Sequence, residues 1–248
     1  MKRALFGAAV LLLAASGTAA AQATIVNGPH DFSTGSGLRN TDAGIAGQTC
    51  VFCHTPHGGS LAAPLWNRNS STIAYQVYAS STMDATAPTS AQIQSAVSGA
   101  CMSCHDGSIA IDVLLNLNGV SKTTGSVAFT KQATSKATYG TSGTGTNNVL
   151  AGGTPFLGPD LRNDHPITIV YEQARAATPA EFTTQTITGS KITVSGGPQP
   201  QPLPLYGTST ATATVECASC HNPHDNSRGF FLRKLNTQSA LCLTCHIK

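Results

Sequence analysis

Charge is scarce in this chain: Asp, Glu, Lys and Arg make up 10% of its 248 residues. Aromatic side chains make up 6%, with a single Trp, and no basic stripe runs through any segment. A nucleic-acid interface needs clustered Lys and Arg, so that class of partner is excluded. Past the first two dozen residues there is also no apolar run long enough to span a bilayer, which excludes a bundle of membrane helices and a transmembrane anchor. Methionine is limited to three residues, while cysteine and histidine stand at eight each.

All eight cysteines fall into four copies of one pattern, Cys-x-x-Cys-His: Cys50/Cys53/His54, Cys101/Cys104/His105, Cys217/Cys220/His221 and Cys242/Cys245/His246. Two thiols three residues apart lie on one side of a helical turn, where they can add to the two vinyl groups of one porphyrin. The next residue then sets an imidazole under the iron. A zinc ribbon or a set of disulfides would use the thiols without requiring a histidine at a fixed offset, and here the histidine follows every time. The pattern therefore predicts four covalently attached haem c groups.

With His54, His105, His221 and His246 taken as proximal ligands, His30, His57, His165 and His224 remain, one for each iron. Methionine cannot compete at four sites. Met1 opens the chain, Met102 is inside a haem-binding turn, and only Met83 is left. The expectation is bis-histidine, low-spin iron throughout, at low potential for want of an axial methionine. With no coordination position open for a substrate, electron transfer is expected and enzymatic catalysis is not.

Residues 1–23 carry Lys2 and Arg3, an apolar run and a small-residue Ala21-Gln22-Ala23 cleavage pattern, the signature of a secretory signal peptide. Export agrees with the motifs, because covalent haem attachment in bacteria occurs outside the cytoplasmic membrane. Past residue 23 the chain keeps 12 basic residues, the 14 in total less Lys2 and Arg3, against 11 acidic ones. Haem propionates would turn the loaded protein acidic.

Aligning the histidines exposes a duplication. Each half reads as a lone His, then Cys-x-x-Cys-His-x-Pro-His, then a plain Cys-x-x-Cys-His: His30, Cys50 to His57 and Cys101 to His105, followed by His165, Cys217 to His224 and Cys242 to His246. The domain reading is a leader at 1–23, a first two-haem module at 24–118, a Gly/Ser/Thr-rich insertion at 119–158, expected to be exposed, and a second two-haem module at 159–248. Helix is expected at 90–98, strands at 126–129 and 187–194, and an extended segment at 198–205, where proline falls at every second position up to Pro204. The expected fold class is mostly irregular coil with short helices and a few short strands, wrapped around four haems.

Three residues span at most about 10 Å, so His57 cannot reach round to the iron that His54 holds. By proximity in the repeat, His57 is assigned to the Cys101/Cys104 haem and His224 to the Cys242/Cys245 haem. His30 and His165 are left for the first and third. A trans role is the alternative for His30, on an amino-terminal arm that could ligate a haem in the next subunit. Trp66, Tyr75, Tyr78, Tyr171 and Tyr206 are expected to pack rather than to relay electrons, and Asp106 and Asp225 to be turn residues.

In Gly28 to Ser33, Cys50 to His57, Pro64 to Arg68, Asn163 to Ile167, Leu203 to Tyr206 and Val215 to His246, the chain resembles the doubled Cys-x-x-Cys-His multihaem cytochromes, and among them the tetrahaem OmcE-type extracellular cytochromes. The resemblance implies bis-histidine haems stacked in one continuous chain, subunits polymerised into conductive filaments, and one histidine crossing between subunits. Identical subunits and upstream periplasmic or outer-membrane cytochromes are then the expected partners, at the cell surface or outside the cell. A monomeric periplasmic carrier, or a subunit of a redox complex, is the alternative.

Overall fold

A computed structural model of the chain describes residues 25–26, 28–33, 38–40, 47–60, 63–111, 113–117, 120–121, 129–131, 138–141, 148–199 and 201–247. The expected leader lies outside them, as do residues 126–128 of one expected strand.

Helices are few and short. Thr89 starts α1 (Ser90–Ser95): its hydroxyl accepts from the Gln92 amide while the Gln92 side chain accepts from the Thr89 amide, a reciprocal cap. The expected single helix over 90–98 is broken at Ala96, whose ψ is 175°, and α2 (Val97–His105) restarts at once. A Cβ on Gly99 would stand 2.3 Å from the Gln94 carbonyl oxygen, so glycine is what lets the two helices meet at that angle. Ile93 of α1 and Met102 of α2 are fully buried, packed with Tyr75 and Leu161.

Thirteen short strands form six small sheets among the described residues, more strand than the sequence suggests. The expected strand over 187–194 is a hairpin of Gln185–Thr188 and Lys191–Val194, turned at Gly189, where φ is +60°. Leu203–Leu205 adds the third, edge strand, with Pro204 opposite Thr193. An edge is where a residue with no amide proton is tolerated. Its apolar face, Ile192, Val194 and Leu205, packs with Tyr171, Ala213 and Val215.

The insertion is not wholly exposed. Phe129–Lys131 pairs with Leu38–Asn40, and Leu150, in a strand over Asn148–Gly152, is buried with Phe32, Phe52, Ile111 and Leu114. An apolar side chain spaced between glycines can enter a core that a composition average would deny it.

The two halves are joined by a buried carboxyl. Glu216 accepts from the Ser98 amide at 3.1 Å and the Ser98 hydroxyl, from Thr168 Oγ1 at 3.1 Å and from Thr214 Oγ1 at 2.6 Å. Ser98 Oγ in turn accepts from the Cys217 amide at 3.0 Å. Asp106 is the corresponding hub in the first half, receiving Tyr75 Oη at 2.7 Å and closing a turn onto Ser108. Asp225 closes the same turn onto Ser227. Glu216→Ala should destabilise the protein by about 3 kcal/mol, because several buried donors lose one acceptor together. Denaturant unfolding of the haem-loaded protein checks this, and a loss under about 1 kcal/mol would mean the joint is held elsewhere.

Candidate functional site

Each Cys-x-x-Cys-His segment folds as one helical turn. The first and fourth are 3-10 turns, Cys50–Phe52 and Cys242–Thr244, the second closes α2, and the third is α3 (Cys217–Cys220). The histidine amide caps the turn by donating to the first cysteine's carbonyl, at 2.8 Å for His54, 3.0 Å for His221 and 3.0 Å for His246. Residues three apart in such a turn lie on one side of the backbone. All eight thiols are unpaired, and no three His, Cys, Asp or Glu side chains among the described residues converge as a bare metal ion would require.

Nδ1 of three proximal imidazoles donates to a backbone carbonyl: His54 to Pro64 at 2.9 Å, His105 to Pro155 at 2.6 Å and His221 to Phe230 at 2.7 Å. His165 Nδ1 donates to Pro166 at 2.9 Å. A carbonyl can only accept, so Nδ1 holds the proton and the Nε2 lone pair is free for a metal. The first and third motifs present their acceptors in the same way. After each His-x-Pro-His the chain returns as an antiparallel segment, bridging His54 to Trp66 and His221 to Leu232. The return places Leu65, Phe230 and Phe231 in the left-handed region, with φ of 54°, 50° and 57°.

Six of the eight histidines face one another in pairs. Ring centroids are 6.0 Å apart for His30 and His105, 6.0 Å for His54 and His224, and 6.4 Å for His165 and His246. With metal–nitrogen bonds of about 2 Å, two imidazoles on opposite faces of one iron have centroids about 6 Å apart. The chain therefore fits the cofactor at three places. Burial, and then the neighbouring His105, pull His30 down to about 4, so its imidazole is neutral and able to ligate near pH 7.

These pairs differ from those expected from the sequence. His224 faces His54 of the first motif, His30 faces His105 of the second and His165 faces His246 of the fourth. The three-residue limit excluded one iron for His224, but the motif nearest in sequence is not the nearest in space. His30 is half-buried, its ring stacked on that of Phe231 at 4.3 Å within its own chain and opposite His105. His57 and His221 are exposed, and neither faces another imidazole among the described residues.

The thiols fall into one sequence-ordered series. Burial and then Cys104 push Cys53 up to about 12, and burial and then Cys220 do the same for Cys245. Cys101 and Cys217 are in hydrogen-bonding contact, which raises the first and lowers the second. The first motif thus adjoins the second, the second the third and the third the fourth. Tyr75 and Tyr171 are buried in the cores beside these motifs. The functional parts that sequence reasoning missed are the carbonyls of Pro64, Pro155, Phe230 and Pro166, which carry no side-chain signal.

Residues 210–248 match the family of the doubled CXXCH motif. No curated protein matches the chain. The matched segment holds the third and fourth motifs, and with their geometry it supports a multihaem c-type cytochrome-like protein, binding haem c covalently and suited to electron transfer. Bound haem supplies a one-electron iron couple. The chain's part is to fix thiols, tautomers and imidazole pairs. Among the described residues no helix is long and apolar enough to cross a membrane.

The His54 and His224 planes are 16° apart, whereas those of His30/His105 and His165/His246 are at 64° and 70°. Near-parallel imidazoles split the iron d orbitals more than crossed ones. The oxidised protein should therefore show a rhombic low-spin electron paramagnetic resonance signal beside large-g-maximum signals. His224→Ala should remove the rhombic signal and add a high-spin one; loss of a large-g-maximum signal instead would move His224 to another haem.

Proposed function

We propose that the chain is a tetrahaem c-type cytochrome carrying electrons through bis-histidine haems, one haem on each Cys-x-x-Cys-His motif, and that it acts as the repeating subunit of an extracellular conductive filament. The observation that carries this reading is the one-way pairing of His224 with His54. His57 and His221 stand at the duplicated positions, so a two-fold relation between the halves would pair them as well. They do not face each other, and the relation between halves is heterologous, the kind that a further copy continues into an open chain.

His57 of one subunit is then the ligand that completes the His221 site of the next. This replaces His30 as the crossing residue, since the His30 ring stacks on Phe231 and faces His105 within its own chain. Electrons would enter from upstream periplasmic or outer-membrane cytochromes and leave to an acceptor outside the cell. With every iron six-coordinate, the protein is a conduit and not an enzyme, so carbon monoxide should leave the ferrous spectrum of assembled filaments unchanged.

Electron microscopy of the secreted, haem-loaded protein tests the assembly. Filaments are expected for the natural chain, and dispersed particles with an unchanged covalent haem load for His57→Ala. Unaltered filaments in that variant would overturn the trans ligand. Dispersed monomers of the natural chain would point to a periplasmic carrier.

A further inference from the structure

A carboxylate is buried where the two halves of the chain meet. Glu216, the residue before Cys217, is 2% exposed. Its oxygens accept from the Ser98 amide and hydroxyl, from Thr168 Oγ1 and Thr214 Oγ1, and from the Ser219 amide inside the third motif. An amide can only donate, and two amides converge with three hydroxyls on this one group, the setting of an ionised acceptor. Every one of these partners is neutral. The ion pairs among the described residues are Arg162–Asp160, Arg175–Glu172 and Arg228–Asp225, and Glu216 is in none of them. Arg233, the cation bonded to the third motif, spends its Nε proton on the Ala218 carbonyl at 2.7 Å. Neutral donors solvate a buried charge but do not cancel it, so its field extends into the surrounding protein.

The chain fixes that charge beside two haem-attachment segments at once. A peptide bond joins Glu216 to Cys217. Ser98, which holds the carboxylate, precedes Cys101 by three residues on α2, and its Oγ accepts from the Cys217 amide at 3.0 Å. The Cys101 and Cys217 thiols are in hydrogen-bonding contact with each other. After that contact and burial, the Glu216 charge is close enough to disfavour the thiolate of both. In the loaded protein these two sulfur atoms are bonded directly to two different porphyrins, so a field that reaches both sulfurs reaches both macrocycles.

We propose that Glu216 sets the potential of the two central haems, those of Cys101/Cys104 and Cys217/Cys220: its fixed negative charge stabilises ferric iron at both and lowers both potentials together. The inference rests on the tetrahaem reading. A negative charge favours the more positive of two iron states by Coulomb attraction, and more strongly in a dry interior than in water. Because one charge serves both haems, it moves them in the same direction and opens no gap between them, which keeps the hop from one half of the chain to the other close to level.

Glu216→Gln removes the charge and keeps the shape. Thr214 Oγ1 is also 3.1 Å from the Tyr206 carbonyl, so its proton can turn there and its oxygen can accept from the new amide. Intact mass of the secreted protein reports the covalent haem load. Spectroelectrochemical titration reports the reduction steps, and electron paramagnetic resonance at poised potentials shows which signal each step removes. The glutamine variant, with four haems in place, should move two of the four steps to more positive potential and leave the others, including that of the rhombic signal, close to their natural positions. Fewer than two steps moved, or four steps moved alike, would overturn the assignment. If the variant does not mature, the natural protein decides it, because Glu172, Glu181 and Glu216 are its three glutamates. In protein grown with glutamate labelled with carbon-13 at the side-chain carboxyl, the redox infrared difference spectrum should show a labelled carboxylate band that shifts as haem is reduced. A labelled protonated-carboxyl band, or labelled bands indifferent to reduction, would overturn the proposal. A natural chain without four covalent haems would fail the tetrahaem reading itself, a result that the mass alone distinguishes.

Discussion

An imidazole can offer a metal only the nitrogen it does not spend on a proton, and this chain spends Nδ1 of His54, His105, His165 and His221 on backbone carbonyls. Much of the surrounding structure exists to put those carbonyls there. The return segments after His54 and His221 run antiparallel to their motifs and force Leu65, Phe230 and Phe231 into left-handed backbone. Backbone conformations of that kind cost about 1–3 kcal/mol each in bulky residues and persist where the surroundings over-determine them. Here what over-determines them is the pair of amide bonds at either side, from Thr55 to Leu65 and Asn67 to Cys53 in one half, and from Asn222 to Phe231 and Arg233 to Cys220 in the other.

The hydrocarbon cores are correspondingly minor. Among the described residues three clusters are built around Phe52, Met102 and Tyr171, and each touches or contains part of a Cys-x-x-Cys-His segment. Polar hubs do the joining that a larger core does in an ordinary domain. Glu216 holds α2 beside α3, and with them the Cys101 and Cys217 thiols, at the boundary between the halves.

What could be read in the sequence was local. The helical turn at each motif, the helix start at Ser90 and the turn roles of Asp106 and Asp225 all follow from spacing and side-chain chemistry within a few residues. The histidine pairing was not legible, because a limit on chain reach excludes partners without selecting one. Leu150 was hidden by the small residues around it, and the break at Ala96 by a periodicity that runs straight through it.

The unreciprocated His54–His224 pair has a kinetic side. A polymer built on that relation has unlike ends, one offering an unused His57 and the other an unfilled site at His221. Growth at the two ends would then be chemically distinct, one limited by presenting an imidazole and the other by capturing one. Any small free imidazole would act as a chain terminator at a single end, so length could be set by solution chemistry without a dedicated capping protein.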